Sequence, residues 1–552
     1  MAIMIVMRLI VASIATLHAR EFLRATPKVL SERLSEAELR STLLEEIETS
    51  LGAGSAGNRL LLLEANLLPV FNALPKNEHG RLGHATVRYA LHRLFVMRHG
   101  WSIKGLRADA TSWNSSSATG ILLGQASSYV QDLFEQRLGG RGLALHELTV
   151  LASTIEHLIH NEAAGKMTSV FNVLEMSPTS ILSDSDVNHV LDTYMMAFIL
   201  GQDLSTLNLK VVKSLNAAMP TLFSGWQEAQ EFVRRVKGNI TNPSEEGDFA
   251  SLVKIVEVVG EEYGSFQNIE CRQLKSTLMK MEDRGTGRVK LSEFYKPALN
   301  GNWQFQESVS YLRKVGALDE SDSTSKSVII PNYLYSQANC IASSAFYAVC
   351  CKDECEGLLG HIEEKLAVPE ATPQEIIRLV SNLPSSTVTA PRKMSATLLR
   401  RLDDIASQHG GMIPLHGRLF AQWLHHAFPR ECPYPHLSGT TSQQTSDEYL
   451  AESGDVGEAT EEEMRQYMIE NSTADNTADS ESVAVEELLE WSTVEELLVV
   501  RHEAQLAGAT STRATLRSFI MVVAACSLAY GLMKSFKLPG SASDFDHAKY
   551  VV

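Results

Sequence analysis

The chain has 552 residues, 44% of them hydrophobic, and its 66 acidic and 49 basic side chains give a formal net charge of −17. This length is sufficient for more than one hydrophobic core. An acidic chain is poorly suited to binding phosphate backbones, so we expect no nucleic-acid partner.

The amino terminus predicts a secretory signal peptide over residues 1–19. Arg8 precedes the apolar run 9–16, and small residues lie near Ala19. An amphipathic amino-terminal anchor or a first core helix is the alternative interpretation. A signal peptide would place the bulk of the chain in the lumen of the secretory pathway or outside the cell.

Residues 20–265 predict an all-helical domain. Ser35 and Glu38 form a capping box that opens a helix ending near Leu51. No stretch of strict alternation is long enough to predict strands instead. Apolar residues recur at helical spacing in the segments 59–71, 83–97, 143–163, 183–200, 207–218 and 224–237.

Two polar patterns in this domain favour a structural interpretation. His157 and His160 share one helical face near carboxylates, but their spacing matches no metal motif, so hydrogen-bonded histidines are favoured over metal ligands. The basic and aromatic segment 88–101 is favoured as an amphipathic helix with snorkelling cations rather than as an anion site.

Residues 282–293 follow the spacing of a calcium-binding loop. Gly287 is the sixth residue, where such a loop turns with positive φ, and Val289 is the eighth, which pairs with a sister loop. Glu293 is the twelfth, which supplies a bidentate carboxylate. Arg284, at the third position, opposes a cation, so any affinity is expected in the weak range of about 10⁻⁴ to 10⁻³ M. The candidate ligands are Glu282, Thr286, the Arg288 carbonyl and Glu293.

A second loop of the same kind is predicted over residues 319–332. Aligning Val328 with Val289 predicts that these two valines pair in short strands. Lys326 stands where the turn glycine is expected, and the loop ends in Asn332, which cannot bind calcium as a bidentate carboxylate does. A loop pair kept for packing or partner binding is therefore favoured over a calcium-binding pair.

In this spacing, residues 271–334 resemble the EF-hand superfamily, and the whole chain is similar to single-pass membrane proteins of unassigned function. The resemblance implies a degenerate EF-hand pair, placed at 266–340, and makes Ca²⁺ the candidate cofactor. It implies no activity.

Seven cysteines occur, of which Cys526 lies in a predicted membrane span. The other six predict disulfides in an oxidising compartment, with 15 possible pairings; reduced thiols in a cytosolic protein are the alternative. Cys350 and Cys351 are adjacent and are expected to reach different partners. Cys271 is expected to tie the EF-like module to the next part of the chain. The disulfide candidates are Cys271, Cys340, Cys350, Cys351, Cys355 and Cys432.

Residues 341–440 predict a helical domain rich in Cys and His. A zinc, copper or thiol centre could be formed by His416, His425, His426, Cys432 and His436. The favoured alternative is a structural cap, in which Trp423 and Phe428 pack and Cys432 bonds to an earlier cysteine, because metal-motif spacing is absent.

The segment after residue 440 is strongly acidic. Residues 447–503 hold 18 acidic and two basic side chains, which predicts a disordered acidic linker over 441–482. Apolar residues around Trp491 then predict a juxtamembrane helix over 483–514. Its 483–505 part is expected to serve a partner or an oligomer, or to lie against the body or the membrane.

The uncharged run 518–533 predicts one transmembrane helix over 515–535, followed by a short tail, 536–552. A buried core helix is the alternative. Candidate glycosylation sites, which are consistent with secretion, are Asn114, Asn239 and Asn471.

These features predict a mainly α fold class and a membrane-anchored protein of the secretory pathway or cell surface. The chain contains no phosphate-binding glycine loop, Gly-x-Ser-x-Gly elbow or kinase motif set, so we assign no catalytic residue and favour a binding protein. Its EF-like module is expected to bind a protein partner, with or without calcium. A metal- or thiol-dependent luminal enzyme using His416 to His436 is the alternative.

Overall fold

The structure is a computed structural model, and all of its described residues belong to one compact unit, 1–498. The predicted signal peptide, transmembrane helix and tail, the helix expected from Ser35 and the site at Asn114 lie outside the described residues. The structure describes residues 56–106, 141–240, 247–302, 304–322, 325–341, 344, 346–474 and 491–498.

The described part of the chain is mainly helical, as predicted. Among its helices, none is both long enough and apolar enough to cross a bilayer. The amino-terminal domain packs its helices around one extensive core and adds the short strand β1 (Trp101–Ile103). Its first six helices are α1 (Ala56–Ala73), α2 (His84–His99), α3 (Leu145–Val173), α4 (Asp184–Ile199), α5 (Leu209–Leu222) and α6 (Trp226–Ile240).

Helix α7 (Phe249–Lys280) joins this domain to the loop pair. The Asp248 carboxylate caps its first turn by accepting from the Ser251 N–H at 2.7 Å. Val259 packs in the amino-terminal core, whereas Leu278 packs in the core of the loop pair. One continuous helix therefore connects the two cores.

The two predicted loops pair through a three-stranded sheet in which the strand Ser327–Ile329 is central. Val289 lies opposite Val328, which is the pairing predicted from the alignment of the two loops. Both valines are fully buried, and the rings of Phe294 and Tyr333 meet edge to face beside them at 5.3 Å. The elements are β2 (Arg288–Lys290), α8 (Leu291–Leu299), α9 (Val309–Lys314), β3 (Leu318–Asp319), β4 (Ser327–Ile329) and α10 (Ile330–Leu334).

The Cys/His-rich domain begins with a strand that pairs with β1 and continues as helices around a second core. Trp423 lies at the centre of this core, where its indole N–H donates to the Leu398 carbonyl at 2.9 Å. The elements are β5 (Tyr347–Val349), α11 (Glu354–Leu366), β6 (Glu370–Ala371), α12 (Pro373–Ser381), α13 (Ala396–Gln408), β7 (Ile413–Pro414) and α14 (Arg418–Ala427).

The six cysteines outside the predicted span form three disulfides, which confirms the prediction. Cys350 and Cys351 reach different partners, and Cys271 ties helix α7 to the segment before α11. The pairs are Cys271–Cys351, Cys340–Cys350 and Cys355–Cys432.

The prediction of a disordered linker over 441–482 is wrong for its described part. Two helices, α15 (Ser446–Ser453) and α16 (Glu461–Ala474), form within this part. Tyr449 and Met464 are buried in the core of the loop pair. The prediction was made from the net charge and did not take these two apolar side chains into account. Their burial offsets the entropy cost of ordering the segment.

The predicted helix over 483–514 is also wrong where the structure describes it. Residues 491–498 are not helical, and Leu497 forms an isolated antiparallel bridge with Gly417 at the start of helix α14. Their carbonyls accept hydrogen bonds from Arg418 rather than from a succeeding helical turn. The remainder of 483–514 lies outside the described residues.

Candidate functional site

The first loop and the turn after helix α14 are in close contact. Gly287 has a φ of 74°, and a Cβ at this position would lie 2.1 Å from the Pro429 carbonyl oxygen. We name residues 428–431 the Pro429 turn; its Glu431 N–H donates to the Phe428 carbonyl at 3.1 Å. The turn glycine of the loop thus has a second role, because it allows another backbone to approach.

Glu282, the predicted first ligand, binds this turn. Its side chain is only 3% exposed, and one carboxylate oxygen accepts from the Gly287 N–H. The other oxygen lies 2.7 Å from Nη2 and 2.8 Å from Nε of Arg430. A protein cation, contributed by the Pro429 turn, therefore faces the carboxylate that a calcium loop would turn toward its ion.

The other predicted ligands point elsewhere. Glu293 lies in the first turn of α8, where it is 42% exposed and 3.3 Å from the Lys296 ammonium. The Thr286 hydroxyl donates to the Asp283 carbonyl at 2.7 Å. Within the described ranges, no group of three or more His, Cys, Asp and Glu side chains is placed to hold a metal ion.

Arg288 contributes through its side chain, whereas the sequence predicted a role for its carbonyl. The guanidinium forms a buried ion pair with Asp319, the first residue of the second loop. Burial alone would raise the pKa of Asp319, but Arg288 and the Ser321 hydroxyl hold it below its ordinary value. The two loops are therefore joined by an ion pair as well as by their strands.

His425 contacts the Arg288 guanidinium of this ion pair and is fully buried. Burial, the Arg288 guanidinium and the His426 ring hold the pKa of His425 well below its ordinary value. In the neutral ring Nδ1 donates to the Cys432 carbonyl at 2.7 Å, and Nε2 accepts from Arg288 at 3.3 Å. Both ring nitrogens are thus engaged within the protein.

We expect this neutral histidine to make stability depend on pH. In the unfolded chain the ring binds a proton below a pH of about 6.5, whereas in the folded protein the ring stays neutral. The contribution of His425 to the free energy of unfolding is therefore complete above that pH and declines as pH falls. In urea denaturation, His425→Gln should reduce the slope of unfolding free energy between pH 6.5 and pH 5 by up to about 1.4 kcal/mol per pH unit. The matched control is His79→Gln at an exposed position; equal slopes in the two variants would contradict the assignment.

The second loop contacts the residues that follow the Pro429 turn through Asn332. Its Nδ2 donates to the carbonyls of Gly316 and Tyr434, both at 2.9 Å, and its Oδ1 accepts from the Tyr434 N–H at 2.7 Å. His436 Nε2 donates to the same Gly316 carbonyl at 2.7 Å. The position where a calcium loop carries its bidentate carboxylate therefore holds an amide that binds protein backbone.

The remaining members of the predicted metal or thiol centre have other partners, although the His426 ring also contacts the His425 ring at 5.4 Å between centroids. Cys432 is in a disulfide with Cys355, and the His426 ring packs against Trp491 at 5.5 Å between centroids. His416 Nε2 lies 2.7 Å from a carboxylate oxygen of Glu363, in a different contact. Within the described part of the chain these five side chains form no metal-binding group, whereas Cys432 bonds to an earlier cysteine, and Trp423 and Phe428 pack in the second core, as the structural-cap interpretation predicted.

Glu363 belongs to a buried ion cluster between the amino-terminal and Cys/His-rich domains. Its carboxylate pairs with Arg93, whose side chain is 1% exposed, and Arg93 also pairs with Glu356. The prediction that the cations of segment 88–101 snorkel is therefore wrong for Arg93, because carboxylates 263 and 270 residues away accompany it into the interior. Sequence spacing gives no signal for such distant partners.

His160 of helix α3 belongs to a second ion cluster. His160 lies 2.9 Å from Glu261, and Arg59 bridges Glu261 at 2.6 Å and the buried Glu156 at 2.8 Å. Burial alone would raise the pKa of Glu261, but His160 and Arg59 lower it to about 2. His157 instead shares a hydrogen bond with Asn161 at 3.0 Å, so these two histidines do not act together.

Comparisons with protein-family models, curated proteins and solved structures give no match to this chain. The EF-hand resemblance therefore rests on the loop spacing together with the pairing of Val289 and Val328.

Proposed function

We propose that this chain is a membrane-anchored binding protein of the secretory pathway or cell surface, in which a degenerate EF-hand pair binds protein segments without calcium. The observation that carries the proposal is the contact between Glu282 and Arg430. In this contact a cation of the protein, rather than calcium, neutralises the carboxylate of the loop.

The chemistry of this contact favours protein recognition. Nε and Nη2 of Arg430 both donate to one oxygen of Glu282, and this charged contact needs no metal. Leaving Glu282 desolvated without a partner would be costly, so binding of the Pro429 turn and calcium coordination by Glu282 compete. The turn occupies the loop pair from within the chain and illustrates the ligand chemistry that the pair accepts: a backbone carbonyl against Gly287 and an arginine on Glu282.

The proposed location is supported by the three disulfides, since such bonds persist in oxidising compartments. Asn239, at an exposed position of helix α6, is proposed as a glycosylation site together with Asn114 and Asn471. The signal peptide over 1–19 and the span over 515–535 complete the proposal. A second function as a metal or thiol enzyme gains no support, because Cys432 is in a disulfide and His416 contacts Glu363.

Calcium titration of two glutamate variants tests the proposal. We expect calorimetry to detect no calcium binding to the wild type below about 1 mM calcium. Glu282→Gln should lower the unfolding free energy by about 1–3 kcal/mol, because it weakens a charged hydrogen bond in a desolvated site. Glu293→Gln, at an exposed position of the same loop, is the matched control and should change stability by less than about 0.5 kcal/mol.

The opposite pattern would overturn the proposal. If the wild type binds calcium at micromolar concentration and Glu293→Gln abolishes that binding, Glu293 is a ligand and the loop is a calcium sensor.

A further inference from the structure

The loop 384–391 carries four hydroxyl side chains between two prolines. It lies between helices α12 and α13, and its sequence is Pro-Ser-Ser-Thr-Val-Thr-Ala-Pro. In secreted proteins, segments rich in serine and threonine that also contain proline are typical carriers of O-linked sugars. Composition does not distinguish the four hydroxyls, whereas their contacts do.

Three of the four hydroxyls are bound to one carboxylate. Glu431 of the Pro429 turn is fully buried, and one of its oxygens accepts from the Ser385 hydroxyl at 2.9 Å and from the Thr387 hydroxyl at 2.7 Å. The Ser386 hydroxyl lies 3.0 Å from the same oxygen and 2.5 Å from a carboxylate oxygen of Glu354. A hydroxyl held by a carboxylate must leave that contact before it can react, so these three are poor acceptors for a transferred group.

Thr389 carries the fourth hydroxyl, and its surroundings differ. Its side chain is exposed, and among the residues that the structure describes its hydroxyl has no hydrogen-bond partner. On one side, Val388 packs against the second core and its N–H donates to the Ser385 hydroxyl oxygen at 2.9 Å. On the other side, the Arg392 N–H donates to the Ser381 carbonyl at 2.8 Å. The loop therefore holds Thr389 at the surface between two attached positions.

We propose that Thr389 is the acceptor of an O-linked sugar, an N-acetylhexosamine that a transferase takes from a nucleotide sugar. The bond between the sugar C1 and the diphosphate breaks, and a bond between C1 and Thr389 Oγ1 forms. The hydroxyl proton passes to a base of the transferase, and the nucleoside diphosphate leaves. This inference rests on the proposed location in the secretory pathway and adds a modification site to it.

Mass spectrometry of the full-length chain, made in cultured animal cells, tests the site. After enzymatic removal of N-linked glycans, the peptide that contains 384–391 should carry an N-acetylhexosamine, which fragmentation should locate on Thr389. Thr389→Val, which replaces the hydroxyl by a methyl group, should abolish this mass increment. Thr168→Val is the matched control and should retain it, because that exposed threonine lies within helix α3 and its hydroxyl donates to the Ala164 carbonyl at 3.0 Å.

The same sample separates this inference from the proposed location. Removal of an N-linked glycan converts Asn239 to aspartate, so this residue reports entry into the secretory pathway. If Asn239 is converted and Thr389 carries no sugar, the inference is wrong and the location stands. If neither residue is modified, both fail. A phosphate on Thr389, or a sugar on Ser385, Ser386 or Thr387 in place of Thr389, would also overturn the inference.

A second measurement tests the selection among the four hydroxyls. Full-length protein made without sugars, with its disulfides formed, is incubated in detergent with a purified peptide O-glycosyltransferase and a nucleotide sugar, beside a synthetic peptide of residues 380–395. In the peptide all four hydroxyls are free of Glu431. The ratio of labelling at Thr387 to labelling at Thr389 should therefore be lower in the folded protein than in the peptide by about tenfold or more. Equal ratios would show that Glu431 does not restrain its hydroxyl partners and would overturn the proposal.

Discussion

Gly287→Ala is expected to destabilise the protein far more than Gly285→Ala. Both glycines have positive φ, 74° and 77°, so each substitution forces alanine into a left-handed conformation at a cost of about 1–2 kcal/mol. At Gly287 the new methyl group would also lie 2.1 Å from the Pro429 carbonyl oxygen, whereas at Gly285 the nearest atom is Arg430 Nη2 at 3.5 Å.

The clash should therefore make the loss of unfolding free energy larger for Gly287→Ala than for Gly285→Ala. We expect a total loss of about 3–5 kcal/mol at Gly287, because either the loop or the Pro429 turn must move. Urea denaturation of both proteins gives the comparison, with Gly285→Ala as the control for backbone strain. Equal losses would show that the loop does not depend on its contact with the turn.

Arg93→Met is expected to have a similarly large effect, at a site remote in sequence from its partners. The substitution leaves the fully buried Glu363 without its principal cation. Burial alone would raise the pKa of Glu363, but Arg93 and then His416 hold it below its ordinary value. Removing one partner of a buried ion pair costs about 3–5 kcal/mol, because the other charge remains desolvated.

Two further variants make this prediction specific. The double variant Arg93→Met with Glu363→Leu should recover much of the lost stability, because it removes the stranded carboxylate. Arg465→Ala, in an exposed pair with Glu461, should cost less than about 0.5 kcal/mol. A loss below about 1 kcal/mol for Arg93→Met would contradict the importance of the buried cluster.

The parts of the fold that could be predicted depend on local rules. The spacing from Gly287 to Glu293 fixed the position of a short strand, and the same spacing in the second loop located Val328 as the partner of Val289. Adjacent Cys350 and Cys351 required different partners on geometric grounds alone. Helical periodicity likewise identified most of the amino-terminal helices.

The parts that failed depend on partners distant in sequence. Arg430 lies 148 residues after Glu282, and no spacing rule connects them. The acidic composition after residue 440 led to the prediction of disorder. Tyr449 and Met464 nevertheless pack in the core of the loop pair and hold the segment there. The leucines near Trp491 have helical spacing, but the described segment 491–498 is not helical, and its carbonyls accept hydrogen bonds from Arg418 at the start of α14.

The most direct test of the central claim is the coupling energy between Glu282 and Arg430. A double-mutant cycle compares Glu282→Gln, Arg430→Met and the double variant by their unfolding free energies, in chelator and in millimolar calcium. We predict a coupling of about 1–3 kcal/mol that is the same in both conditions, because the guanidinium neutralises the carboxylate without an ion. A coupling near zero in either condition, or one that calcium abolishes, would contradict calcium-independent binding by the loop pair.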